Sequence, residues 1–365
     1  MNAKFGKSVD RSRMFYWQVD RPFDEAETKK VFLDRHQNFN SDLARQAIES
    51  GMVQAGKAKS KARAVKLYEM IPFGSVNVVI KAKLADGTLV IFRGHPPEVK
   101  NGYFWAESLA AKKAREVGVP AYKTYFIDDT RDKFNFDYML TEYLPGRNMK
   151  DMWPIAKKLD QKLIEDTGKL LAKIHTIHTK NFGFFDNRLA KAKKQLVGIQ
   201  PQWSDHVLAA LTKNLNYLQK TQVITPSQRK KISKIFSANK TLLDYKRSVL
   251  IQNDLADWNQ LAQNGRVTAV LDWDECHSGD PMADFACWSL FFPLERLEHL
   301  KRGYQQISPL PKEYEAKFHL LRLRYLVSKI TLRKKKLTFK EDKFMRDLLN
   351  HGLKTMKQEF SWYGL

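Results

Sequence analysis

Cysteine is nearly missing from this chain: Cys276 and Cys287 are the two thiols in 365 residues. That scarcity excludes a disulfide framework and leaves too few thiols for a cysteine-built zinc site. Long apolar runs are missing as well. The most apolar stretch, 286–294, is interrupted by Ser289 and Pro293 and falls short of the eighteen or so residues a membrane span needs. The opening MNAKFGKSVDRSRMFYW is basic but lacks the apolar centre of a signal peptide, so a cytoplasmic location is expected. No internal repeat and no low-complexity tract occurs. Acidic residues are the other shortage. Asp plus Glu number 40 against 63 Lys plus Arg, a formal charge of +23, so the mean field favours anions such as nucleotides, nucleic acids or anionic lipid. The basic residues are spread along the chain. Local clusters such as Arg229-Lys230-Lys231 and Arg333-Lys334-Lys335-Lys336 read as solvated helix faces, and neither nucleic acid nor membrane is an expected partner.

What the chain does have is 43% hydrophobic and 12% aromatic residues, enough for one large domain or two lobes with a real core. Residues 1–62 read as an irregular extension followed by a helix over 43–52, capped at Ser41-Asp42 and ended by a short basic linker. From Ala64 the apolar period shortens to that of strands. The segments AVKLYEMI, SVNVVIKAKLA and TLVIFRG form an expected antiparallel meander, with Asp86-Gly87 turning the last hairpin. In the first connection, Gly74 allows close backbone approach to a ligand, although one glycine is more often just a turn. A helix over 104–116 ends at Gly118 and Pro120, two strands follow at 122–127 and 136–143, and Leu144-Pro145-Gly146 closes the β-rich part. The rest is mostly helical, with helices expected over 149–159, 163–177, 206–218 and 226–243 and again from Pro281 onward. Strands first and helices afterwards predict an α+β protein of two unequal lobes, 63–146 and 147–365, hinged near 142–146.

One stretch concentrates chemistry: SVLIQNDLADWNQLAQNGRVTAVLDWDECHSGDPMADFACW, 248–288. Two apolar runs, 249–251 and 267–271, read as the strands of a hairpin turned at Asn264-Gly265. Asp254, Asn259 and Asp272 then fall on loops at one end of a small sheet. Two carboxylates and an amide supply the hard oxygen ligands that magnesium prefers, and such a site normally shares its remaining positions with water and phosphate. Two other groupings read more simply. His175 and His178 share a helix face, but His175 beside an apolar stripe reads as a hydrogen-bonded core histidine, and Cys276-His277 reads as ordinary loop. Most of the tryptophans should be core, Trp258 being the exception because it lies inside the acidic loop.

QNDLADWN followed by LDWDE and GDPMAD resembles the signature of aminoglycoside phosphotransferases and their choline-kinase and macrolide-kinase relatives, small-molecule kinases with a protein-kinase-like fold. FGSVN, VIFRG, FWAESLA, MLTEYLPG and LLAKIH stand upstream in the matching order, over roughly 43–288. The resemblance implies a small antiparallel-sheet lobe and a larger helical lobe. It implies transfer of the γ-phosphoryl group of ATP (or GTP), with Mg2+, to a hydroxyl of a small molecule. It assigns Asp254 as the catalytic carboxylate and Asn259 and Asp272 as metal holders. Arg93 paired with Glu107 would grip the phosphates, Gly74 and Ser75 would cover them, and the backbone of Glu142, Tyr143 and Leu144 would read the base. Asp280 and Asp284 match the later aspartates, with a capping or bracing role expected. Three positions depart from the pattern. Gln252 stands for a histidine, Asn253 for a residue that is often glycine, and Ala256-Asp257-Trp258 for a common His-Pro-Gly run. Asp257 and Trp258 are therefore candidates for an altered acceptor pocket, and acceptor choice is expected to reside in 202–243. The alternative is a catalytically silent nucleotide-binding regulator, suggested by Gln252 and the basic surface.

Overall fold

The computed structural model describes residues 10–21, 35–58, 64–72, 76–98, 102–152 and 157–364, with Ala26, Lys29, Val31 and Lys100. The chain divides into two compact units, one drawn from 22–112 and 121–145, the other from 10–21, 113–120 and 146–365.

The first unit is built on a five-stranded antiparallel sheet, β1 (Val65–Ile71), β2 (Val78–Leu84), β3 (Leu89–Gly94), β4 (Thr124–Asp128) and β5 (Tyr138–Glu142), in the order β1-β2-β3-β5-β4. Strict alternation in β2 sends Val78, Ile80, Ala82 and Leu84 to one buried face. That face meets Ala44, Ala47, Ile48 and Met52 of the helix Ser41–Gln54, together with a run of rings from Phe39, Phe92, Phe134, Phe136 and Tyr138. The helix is capped by Asn40, whose side chain accepts from the N–H groups of Asp42 and Leu43, one position before the expected cap. The helix Phe104–Glu116 begins and ends where the sequence places it.

The second unit is mainly helical but holds more strand than its sequence suggests. Four short strands pair in the order β8-β7-β12-β9: β7 (Phe182–Phe185), β8 (Gly198–Gln200), β9 (Val249–Ile251) and β12 (His277–Gly279). A second sheet holds β6 (Arg147–Asn148), β10 (Gln260–Gln263) and β11 (Arg266–Val270), ordered β11-β10-β6. The expected hairpin is thereby corrected. Asn264 and Gly265 do form its turn, with φ of 52° and 68°, but they join β10 to β11, while β9 pairs with β12 in the other sheet. A two-residue turn can only connect the residues that flank it directly, and Gln260-Leu261-Ala262-Gln263 is the run that does so. The helix expected over 206–218 is also two, Trp203–Leu208 and Leu211–Lys220, broken at Ala210 with φ of 54°.

At the centre lies the helix Tyr314–Phe339, buried on every side from Leu320 to Arg333. An all-buried helix is normally apolar, yet this one carries four buried cations, and each has partners. Arg322 donates to Glu359, Arg324 to the carbonyls of Val207 and Ala209, Lys329 to the Tyr16 hydroxyl, and Arg333 to the Leu348 carbonyl. The reading of 333–336 as a solvated face is overturned here. Arg333 is buried, and Lys335 and Lys336 reach the Val19 carbonyl and the Gln18 side chain. Residues 10–21 are thus a tightly held part of this unit. Met14, Phe15, Tyr16 and Trp17 are all buried, and Asp20 accepts from the N–H groups of Phe15 and Tyr16 and from Asn214. Among the described residues no helix is long and apolar enough to cross a membrane.

Candidate active site

In the second unit, β9 ends at Ile251 and the chain turns sharply through Gln252, Asn253 and Asp254. Asn253 adopts φ of 69°, a left-handed conformation that asparagine tolerates better than most side chains, which explains why a position that is often glycine accepts it. Asp284, in the first turn of the helix Met282–Trp288, accepts from the backbone N–H groups of Gln252 at 3.1 Å and Asn253 at 2.6 Å. The same carboxylate receives His175 Nε2 at 3.0 Å, while His175 Nδ1 meets the Tyr304 hydroxyl at 3.1 Å. Asp284 is thus a loop brace and His175 a hydrogen-bonded core histidine. Asp280 accepts from the Met282 N–H and from Lys317.

Gln252 is the link between the two acidic loops. Its Oε1 accepts the Asp254 N–H at 2.8 Å, and its Nε2 donates to the carbonyls of Leu271 at 3.2 Å and Asp272 at 2.9 Å. A neutral imidazole offers one donor and one acceptor, whereas a primary amide offers two donors and an acceptor. Glutamine therefore ties both loops together where histidine is the familiar residue.

Asp254 is 9% exposed. Asn259 Nδ2 donates to its backbone oxygen at 2.8 Å and to its Oδ2 at 2.9 Å, and Lys329 Nζ lies 3.7 Å from its Oδ1. Burial pushes the Asp254 carboxyl above its usual range, the Lys329 charge opposes this, the nearby Asp272 charge adds to it, and the Asn259 hydrogen bond opposes it again. Asp272 sits at φ of 53° just beyond β11. Asn259 thus bonds Asp254 directly, and Asp272 is near enough for its charge to act on Asp254. Asn259 turns its NH2 group toward Asp254, so its carbonyl oxygen faces elsewhere, and with the Asp272 carboxylate it makes a hard-oxygen set of the kind magnesium prefers. No group of three or more His, Cys, Asp or Glu is placed to bind a metal among the described residues. An ion bound here would complete its shell with water and substrate oxygens.

Asp257 is buried, and its Oδ2 accepts from Arg296 at 3.0 Å; the same guanidinium also reaches Asp160 at 3.0 Å. That pairing makes Asp257 an anchor for the loop. Trp258 is half-buried, edge-on to Phe291 at 4.9 Å and to Phe344 at 6.4 Å, and Asn148 donates to its carbonyl. Cys276 and Cys287 are free and buried, and the Cys287 thiol is pushed up to about 12 by burial.

In the first unit, Arg93 lies on β3 opposite Val79 and Met139 and forms a buried ion pair with Glu107, whose Oε1 also accepts the Tyr122 hydroxyl at 2.7 Å. Glu142 ends β5, accepting the Lys123 N–H on its side chain; Tyr143 packs under Lys81, and Leu144 follows, half-buried. Gly74 and Ser75 lie outside the described residues. Two residues of the second unit beside Asp254 escaped the sequence reading, Lys329 and Tyr16. Their signals were a single lysine inside the apolar run LRYLVSKI and the aromatic run MFYW near the start.

A five-stranded antiparallel sheet in one unit, and in the other a mainly helical body with acidic and amide loops at strand ends, define a kinase-like phosphotransferase. Solved structures share this fold at low identity. A protein provisionally assigned as a fructosamine-3-kinase from Thermobifida fusca YX-ER1 is 20% identical with a TM-score of 0.57, covering 84% of this chain and 99% of its own. Aminoglycoside phosphotransferase APH(4)-Ia, as a thermostable mutant in ternary complex with AMP-PNP and hygromycin B, is 16% identical with a TM-score of 0.59, covering 84% and 98%. A second provisionally assigned fructosamine-3-kinase, from Haemophilus somnus 129PT, is 15% identical with a TM-score of 0.58, covering 86% and 98%. No curated protein matches the chain. The sequence model of the phosphotransferase enzyme family (APH) matches residues 71–317. The chain belongs to that family and is a small-molecule kinase by class.

Proposed function

We propose that this kinase moves the γ-phosphoryl group of ATP or GTP to a hydroxyl of a small neutral or anionic compound, with Asp254 as the carboxylate that orients the acceptor hydroxyl and takes its proton. The observation that carries the reading is the Gln252 bridge. It ties the Asp254 amide to the Asp272 carbonyl and so fixes the catalytic and metal-binding loops in one geometry. Phosphoryl transfer asks little covalent chemistry of a protein, so fixed geometry and charge neutralisation are what the site must provide.

Asn259 and Asp272 would hold magnesium, which when bound neutralises charge on the phosphate oxygens. Asn259 does double duty, because its NH2 group also fixes one oxygen of Asp254. Arg93 would hold α- or β-phosphate oxygens through its fork of N–H groups, with Glu107 and Tyr122 keeping it extended. Ser75 and Gly74 are proposed to cover the phosphates, and the backbone at Glu142, Tyr143 and Leu144 to read the base. Trp258 is the side chain proposed to face the acceptor. The structures of relatives include a nucleotide analogue with hygromycin B, and this supports a nucleotide and a hydroxylated acceptor as the two substrates. The high positive charge offers no acidic trap for a polycation, which favours a neutral or anionic acceptor. The silent-regulator alternative drew on Gln252, and a glutamine engaged as a brace no longer favours it.

The test is incubation with magnesium and γ-labelled ATP or GTP against a pooled hydroxyl-metabolite extract. Label transfer that vanishes in Asp254→Ala supports the proposal. Nucleotide binding with no transfer to any acceptor would replace it with the regulator.

A further inference from the structure

A phosphoryl-transfer site needs positive charge near the reacting oxygens. Between Asp254 and Asn259 the loop offers none, since its residues are Leu255, Ala256, Asp257 and Trp258. Among the described residues, an ammonium comes from far along the chain. Lys329, 3% exposed on the central helix Tyr314–Phe339, places Nζ 3.7 Å from Asp254 Oδ1, the oxygen that Asn259 does not hold. Its own position is fixed from the other end of the sequence. Nζ donates to the Tyr16 hydroxyl at 2.8 Å and lies over the Tyr16 ring at 4.2 Å and the Phe291 ring at 4.6 Å. Tyr16 cannot drift, because its N–H is held by Asp20 and its neighbour Trp17 donates its N–H to the buried Glu275. A fully buried lysine is rare and costly unless something needs its charge.

We infer that Lys329, oriented by Tyr16, is a positioning residue for Asp254: it holds the second carboxylate oxygen and keeps a cation at the point where the acceptor hydroxyl meets the transferred phosphoryl group. The pair makes residues 10–21 part of the active site. The inference rests on Asp254 being the catalytic carboxylate, as proposed above. Asn259 then donates to one oxygen at 2.9 Å while Lys329 pairs ionically with the other at 3.7 Å, so the two carboxylate oxygens are not equivalent. Among the described residues, Asp272, Glu275, Asp274, Asp284, Arg11, Arg21, Arg333 and Cys287 also act electrostatically on this cluster, and Lys329 is the cation whose charge acts on Asp254.

Four variants, Asp254→Asn, Lys329→Met, Lys329→Arg and Tyr16→Phe, would be compared with wild type. Turnover would be measured with magnesium and γ-labelled ATP against the pooled hydroxyl-metabolite extract, nucleotide affinity with a fluorescent ATP analogue, and Tm in parallel. The expected result for Lys329→Met is an apparent kcat at least tenfold lower, with nucleotide KM and affinity changed less than threefold. Lys329→Arg should recover part of the loss and Tyr16→Phe should lose severalfold. Lys329→Met turnover within twofold of wild type, with Asp254→Asn inactive, would overturn this inference alone. Full turnover in Asp254→Asn would instead overturn the reading of Asp254. If Lys329→Met unfolds, Tyr16→Phe decides: unchanged turnover in that variant sinks the inference.

Discussion

Gln252 shows how one side chain can set the geometry of two loops. Removing it in Gln252→Ala strands the Asp254 N–H and the Asp272 carbonyl together, and each unmet buried group costs about 1–3 kcal/mol. The expected outcome is a kcat more than tenfold lower and a Tm reduced by several degrees, read from turnover and a thermal melt. Gln252→His, which restores one donor and one acceptor, should recover most of both. A Gln252→Ala enzyme with wild-type turnover would remove the bridge from the mechanism. The residues of this loop were legible in sequence because ordered motifs fix their types, and Asn259 does bond Asp254 while Gln252 ties in the backbone of Asp272. The brace was not legible, since a glutamine's three hydrogen bonds depend on where two separate loops lie. Lys329 and Tyr16 were hidden for a related reason: each is unremarkable locally, and only tertiary packing brings them to Asp254.

At the level of elements, periodicity served well where strands and helices are long and local, as in the meander β1 to β3 and the helix Phe104–Glu116. It served poorly for short strands. β7, β8 and β12 have three or four residues each, too few for alternation to register, and β9 was joined to the wrong partner. Helix contacts also depend on features that no period reveals. The helices Lys157–Ile174 and Leu294–Gln305 approach so closely that a Cβ on Gly168 would strike the Leu300 carbonyl, and one on Gly303 the Glu165 carbonyl. Neither glycine has an unusual backbone, so close approach is what each is needed for. Gly303→Ala should destabilise the protein by about 1–3 kcal/mol and lower Tm by several degrees, the cost of forcing two helices apart. A melt unchanged within one degree would show that the crossing relaxes freely.

For the whole molecule, charge that is invisible from outside matters as much as the +23 total. Glu275 is fully buried, and burial, reinforced by the Asp274 charge and opposed by Arg11 and Lys329, pushes its carboxyl up to about 8. The folded state therefore holds this proton more tightly than the unfolded chain does. The resulting stabilisation is complete below the ordinary carboxylate value near 4.5 and is lost as pH rises toward 8. Glu275→Gln cannot lose a proton and should melt progressively higher than wild type between pH 5 and 8, with the gap levelling off above that. A gap that stayed constant with pH, or narrowed, would contradict the assignment of that proton.

The Tyr16 to Lys329 hydrogen bond joins residues 313 positions apart, so it also sets an order of events during synthesis. Met14, Phe15, Tyr16 and Trp17, all buried in the finished protein, leave the ribosome long before the helix that covers them. At roughly 5–20 residues per second that interval is on the order of 15–60 s. Through it the growing chain carries a four-residue apolar segment still lacking one of its final partners, although Phe15 and Trp17 also meet the earlier-made His206 and Glu275. The family core at 71–317 is already made when it ends, and the cation that pairs with Asp254 comes from a part of the chain translated after that core.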